Sequence, residues 1–110
     1  MSVQTQPDLS LYVIRRTAGW STPESLGAAA GRSKAVGDEE MSSDIRWIRS
    51  YVVQEPDGRL GTVCIYQASS PEKVREHANR SGIPADQVMP VVDTVFVRPD
   101  PKPVAAGAAA

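Results

Sequence analysis

The chain has 110 residues, 41% of them hydrophobic and 23% charged, and a net charge of −1. That length is one domain with one core, and its basic residues are scattered apart from Arg15-Arg16 and Arg46/Arg49, which excludes the positive footprint of a nucleic-acid or anionic-lipid binder. No apolar run is long enough to span a membrane, Met1–Pro7 lacks the features of a secretory signal, and the lone Cys64 excludes an internal disulfide framework, so the expectation is a cytoplasmic protein without membrane partners.

Residues 1–9 are polar and predict a disordered N-terminus. A strand is expected over 11–16. Ser21-Thr22-Pro23-Glu24 then combines a hydroxyl N-cap, a proline at the first helical position and a first-turn carboxylate, which predicts a helix from Pro23 to about Met41. Its apolar positions are Leu26, Ala29, Ala30, Val36 and Met41. Gly27, Gly31 and Gly37 weaken it, each by about 1 kcal/mol relative to alanine, and with the alanines they predict close packing on a sheet. Asp38, Glu39, Glu40 and Asp44 follow, where the helix dipole does not favour carboxylates; they form either a solvated helix end or a cation site.

Runs 45–54 and 60–67 alternate in character and flank Pro56-Asp57-Gly58, good turn chemistry, so they predict a hairpin. Strict alternation places Ile48 and Val52 on one face with Val63 and Ile65, expected to pack on the helices. It places Trp47, Arg49 and Tyr51 on the other with Thr62, Cys64 and Tyr66, an amphipathic face suited to a ligand or a wet interface. Ser69-Ser70-Pro71-Glu72 opens a second helix, stopped by Gly82 and Pro84. Residues 88–97 read as a last strand, apolar on both sides apart from Asp93 and Thr94 and therefore buried within an assembly. The stretch 99–110 reads as a Pro/Ala-rich flexible tail.

The order strand, helix, strand, strand, helix, strand is that of an α+β, ferredoxin-like βαββαβ domain over 10–98: an antiparallel sheet with two helices on one face and the other face bare. The bare face calls for a partner or a ligand, and a homodimer in the manner of dimeric α+β barrels, with a higher oligomer also open, is the expected assembly.

The segments Arg46–Tyr51, Cys64–Ala68 and above all His77-Ala78 through Gly82-Ile83-Pro84-Ala85-Asp86-Gln87-Val88 resemble the DUF4242 family, the SCO-type nickel-binding proteins, over about 11–93. The resemblance implies a ferredoxin-like fold that dimerises through its sheets and, for at least one relative, nickel bound by histidines and carboxylates. This chain has Gln67 where that family has a glutamate, and His77 is its single histidine.

Arg49, flanked by Trp47 and Tyr51, needs an anion on a mostly apolar face: either Asp93 or a partner-subunit carboxylate, or a substrate carboxylate, enolate or phosphate. Asp93 is a candidate general base if it shares that face, and otherwise an edge charge. His77 is either a hydrogen-bonded histidine at the helix–sheet margin or a general acid/base, predicted on the opposite side of the sheet from Cys64. Cys64 is a small buried hydrophobe or a nucleophile, for which His77 is the only histidine to act as base and their opposite sides argue against the pair, and Trp20 is a lid aromatic or a staple. Trp47, Tyr51, Cys64, Tyr66 and Trp20 are the expected substrate-binding set, with Arg49, Asp93 and His77 the catalytic set of an acid/base isomerase, cyclase or lyase that needs no organic cofactor. The alternative is a nickel or other divalent-metal protein without catalysis, with His77 and carboxylates such as Glu39, Glu40 or Asp86 as ligands by resemblance. A non-catalytic sensor is the third reading. No glycine-rich phosphate loop, G-x-S-x-G elbow or CxxC pair is present, which argues against nucleotide hydrolysis, serine hydrolysis and structural zinc.

Overall fold

A computed structural model describes residues 8–102. The expectations for residues 1–7 and for the tail from Pro103 lie outside the described residues. Strand β1 (Ser10–Trp20) is followed by helix α1 (Pro23–Ala35), a π-wound turn (Val36–Glu40), the hairpin strands β2 (Ile45–Gln54) and β3 (Leu60–Ala68), helix α2 (Pro71–Ser81) and the short strand β4 (Gln87–Pro90). All pairings are antiparallel and the sheet order is β2-β3-β1-β4, the ferredoxin-like arrangement.

Local chemistry accounts for the element ends. Thr22 Oγ1 accepts the Ser25 N–H at 3.1 Å and Ser70 Oγ accepts the Lys73 N–H at 3.2 Å, each followed by proline at the helix start. Helix α2 ends on Gly82 at φ +69°, a conformation glycine adopts without steric penalty. The hairpin closes through the Gly58 N–H to the Glu55 carbonyl at 2.9 Å. The first helix changes winding at Val36 where a uniform helix to Met41 was expected.

Strand β1 runs past the expected end, through an irregularity between Arg16 and Trp20. Ala18 sits there at φ +50°, and its N–H donates to Glu55 Oε2 at 3.0 Å. Arg15 donates to both oxygens of the same carboxylate, at 2.7 and 3.0 Å. The Arg15 guanidinium holds the Glu55 carboxyl below the usual carboxylate range. Gly61 lies beneath: a Cβ there would stand 2.7 Å from the Arg16 carbonyl oxygen, so no larger residue fits.

The core lies between the sheet and the helices, with Tyr12, Ile14, Ile45, Cys64, Tyr66 and Val74 at its centre. This reverses the expected faces. Thr62, Cys64 and Tyr66 turn toward the helices, whereas Val63 and Ile65 share the other face with Val13. In β2 the register shifts between Trp47 and Arg49: Trp47 pairs with Tyr66, Arg49 with Ile65 and Ser50 with Cys64. Ile48 is the extra residue, so Trp47 and Val52 look toward the helices while Arg49 and Tyr51 look the other way.

The last strand is shorter than expected. Pairing stops at Pro90, apart from the Val91 N–H to the Leu11 carbonyl, and Val92 to Val97 are not buried in the single chain: Val92 is 94% and Phe96 73% exposed. Among the described residues, no helix is long and apolar enough to cross a membrane.

Candidate functional site

A cavity of about 540 Å³ opens between α1 and the β2–β3 part of the sheet. It exists because α1 presents small residues there: Ala29, Ala30 and Gly27 do not fill the space that larger side chains would close. Leu26, Trp20, Trp47, Val52 and Ile83 make its walls largely apolar. Trp47 stacks on Tyr66 with ring centroids 6.1 Å apart and planes 6° from parallel, and its indole N–H donates to Ser50 Oγ at 2.8 Å.

A polar group borders these walls. Arg16, Thr62, Cys64, Ser33 and Tyr66 all line the cavity. The Cys64 thiol donates to Thr62 Oγ1 at 3.3 Å, and Ser33 Oγ and the Tyr66 hydroxyl share a 2.9 Å hydrogen bond. Burial pushes the Tyr66 phenol above its ordinary pKa, with Ser33 and the nearby positive charge of Arg16 acting against that shift. Arg16 Cζ lies 5.8 Å from the Tyr66 ring centroid, within cation–π range.

His77 stands behind this layer and does not line the cavity. Its Nε2–H donates to the Ser33 carbonyl at 2.9 Å, while Nδ1 is buried without a partner among the described residues. Desolvation, assisted by the charge of Arg16, lowers its pKa, so the ring is held neutral. His77 and Cys64 belong to the same helix-covered layer, contrary to the expected opposite sides, yet no hydrogen bond joins them among the described residues.

The expected catalytic set does not assemble. Arg49 borders the cavity, but its guanidinium donates to Asp100 Oδ2 at 3.0 Å, and Tyr51 Oη–H, on the face away from the helices, donates to the same oxygen at 2.7 Å. The Tyr51 hydroxyl and then Arg49 keep the Asp100 carboxyl below its ordinary range. Arg49 thus has an anion, but it is Asp100 rather than Asp93. Asp93 lies beyond β4, exposed, and accepts the N–H of Thr94 at 2.8 Å. Of the expected binding residues, Trp20, Trp47, Cys64 and Tyr66 border the cavity and Tyr51 does not.

Arg16 and Ser33 were missed. The signal for Arg16 was its parity with Tyr12 and Ile14 on the first strand; for Ser33 it was only its spacing from Ala29 and Ala30 on α1.

The metal set is not assembled either. Glu39 is exposed, Glu40 accepts from Arg80 at 3.1 Å, and Asp86 accepts the Thr17 N–H at 2.6 Å. Among the described residues no group of three or more His, Cys, Asp or Glu side chains is placed to hold a metal ion. Among the described residues of the single chain the side chains expected as ligands lie apart, and the one imidazole is buried in the core.

These features define a ferredoxin-like α+β protein with a ligand-sized cavity between its first helix and its sheet. The family model for SCO4226-like nickel-responsive proteins matches residues 12–91, and the chain belongs to that family. The fold is similar to the crystal structure of SCO4226 from Streptomyces coelicolor A3(2), with a TM-score of 0.62 and 20% identity, covering 78% of this chain and 100% of the other. No curated protein matches the chain.

Proposed function

We propose that this member of the nickel-responsive family is a binding protein that takes a small organic molecule in the cavity beneath α1. The observation that carries the reading is the cavity itself, about 540 Å³ with mostly apolar walls and a few polar groups, the composition of small-molecule sites. Binding without turnover fits better than acid/base catalysis, because Arg49, Asp93 and His77 are dispersed and the proton on His77 Nε2 is committed to a backbone carbonyl. The working form in this reading is a cytoplasmic homodimer. The dimer is supported by the aliphatic residues on the uncovered sheet face and by the exposed apolar side chains of Val92, Val95, Phe96 and Val97; the location is supported by the free, buried thiol of Cys64.

A second reading, response to nickel or another divalent ion, is favoured by the family match over 12–91. A native mass spectrum of untagged protein purified without chelator separates the two. An organic adduct retained by the native protein, and lost in an Ala30→Phe variant that fills the cavity from α1, is the expected result. An integral divalent-metal mass, released by chelator, together with a fragment screen whose hits are all indifferent to Ala30→Phe, would overturn the first reading in favour of the second.

A further inference from the structure

Arg15 and Arg16 are neighbours in sequence and opposites in environment. Arg15 faces away from the helices and meets both carboxylate oxygens of Glu55 and the carbonyls of Arg16 and Thr62. Arg16 faces the helices, is 1% exposed and lines the cavity, and neither Nη1 nor Nη2 has a hydrogen-bond partner among the described residues. A guanidinium stays protonated at any working pH. A buried positive charge without an anion is strongly unfavourable, and the face of Tyr66 offsets only part of that penalty.

The remaining neighbours do not supply the missing charge. Thr62 and Ser33 are neutral, and Tyr66 is kept in its neutral phenol form by burial. Arg49 also borders the cavity, but its guanidinium is engaged by Asp100. The site therefore holds one fixed positive charge, whose two Nη groups are buried without a partner among the described residues, and the Thr62 hydroxyl, set beside apolar walls. Resting on the reading of the cavity as a small-molecule site, we propose that its ligand is a monocarboxylic acid with an apolar body. The carboxylate draws the two buried Nη groups of Arg16 toward the cavity and pairs with them in the parallel, two-bond geometry that guanidinium favours, and the body lies against Leu26, Trp47 and Ile83. A phosphate dianion fits less well, because a single guanidinium balances half its charge.

The test uses the full chain and two probe pairs of matched shape: 2-naphthoate with 2-naphthamide, and decanoate with decanamide. Binding is followed by calorimetry and by quenching of tryptophan fluorescence, since Trp20 and Trp47 border the cavity. Each acid is expected to bind the wild-type protein at least tenfold more tightly than its amide. Arg16→Gln is expected to bring the pair to parity, Arg16→Lys to leave a smaller preference, and Ala30→Phe to weaken acid and amide alike. The wild-type acid-to-amide ratio decides the matter even if Arg16 variants do not fold. Equal binding of acid and amide overturns the carboxylate assignment and leaves the small-molecule reading standing. Absence of binding by all four probes overturns that reading as well.

Discussion

At residue scale, the helix-covered layer contains two buried basic side chains in different states. Arg16 has no hydrogen-bond partner for its Nη groups among the described residues, and His77 is held neutral by burial. His77 has an ordinary pKa of 6.5 that burial lowers in the folded protein. The unfolded chain then binds the more protons just below 6.5, so stability must fall as pH drops. The contribution of neutral His77 is fully present above about pH 6.5 and is lost progressively as pH falls toward the lowered folded value. Urea midpoints between pH 7.5 and 5 should therefore decrease, and a His77→Gln variant should lack that decrement. A variant with the same pH slope as wild type would show that His77 is not the titrating group. Glu55 and Glu76 titrate below their ordinary 4.5, which places their loss in a lower window.

At the scale of elements, each helix carries its start signal in three consecutive residues, and Thr22-Pro23-Glu24 and Ser70-Pro71-Glu72 act where they were read. Replacing Ser70 by alanine removes the acceptor of the Lys73 N–H and should cost about 1 kcal/mol, measured as a lower urea midpoint at unchanged slope. Strand faces were less legible. Period-two alternation is exact only in an uninterrupted ladder, and the extra residue Ile48 reverses every side chain after it. Trp47 and Arg49 therefore part company although two positions apart. The helices cover the face of mixed polarity, and the alanines and glycine that α1 presents there leave a cavity.

At the scale of the molecule, Val92, Val95, Phe96 and Val97 are more than two-thirds exposed, an apolar run that a single chain does not bury. The Asp100 contact with Arg49 and Tyr51 brings this segment from β4, at one edge of the sheet, to β2 at the other. Burial by a second copy is the expected outcome: light scattering should give twice the chain mass, and Phe96→Asp should shift it toward the monomer. A wild-type monomer at micromolar concentration would remove the homodimer from the proposed function.

Caps, turn residues and the order of strand-like and helical runs are local, so the chain by itself determined the ferredoxin-like topology, both helix starts and the stop at Gly82. The same composition identified Trp20, Trp47, Cys64 and Tyr66 as residues of interest, without showing that they border one cavity beneath α1 rather than a cleft on the bare face. That required three non-local facts: the register shift at Ile48, the side of the sheet on which α1 lies, and the partner each charge finds. Arg15 and Arg16 differ in none of their local chemistry. Only the sheet, by sending one toward Glu55 and the other into an apolar layer with no counter-ion among the described residues, sets Arg16 apart as the charge on which the proposed ligand rests.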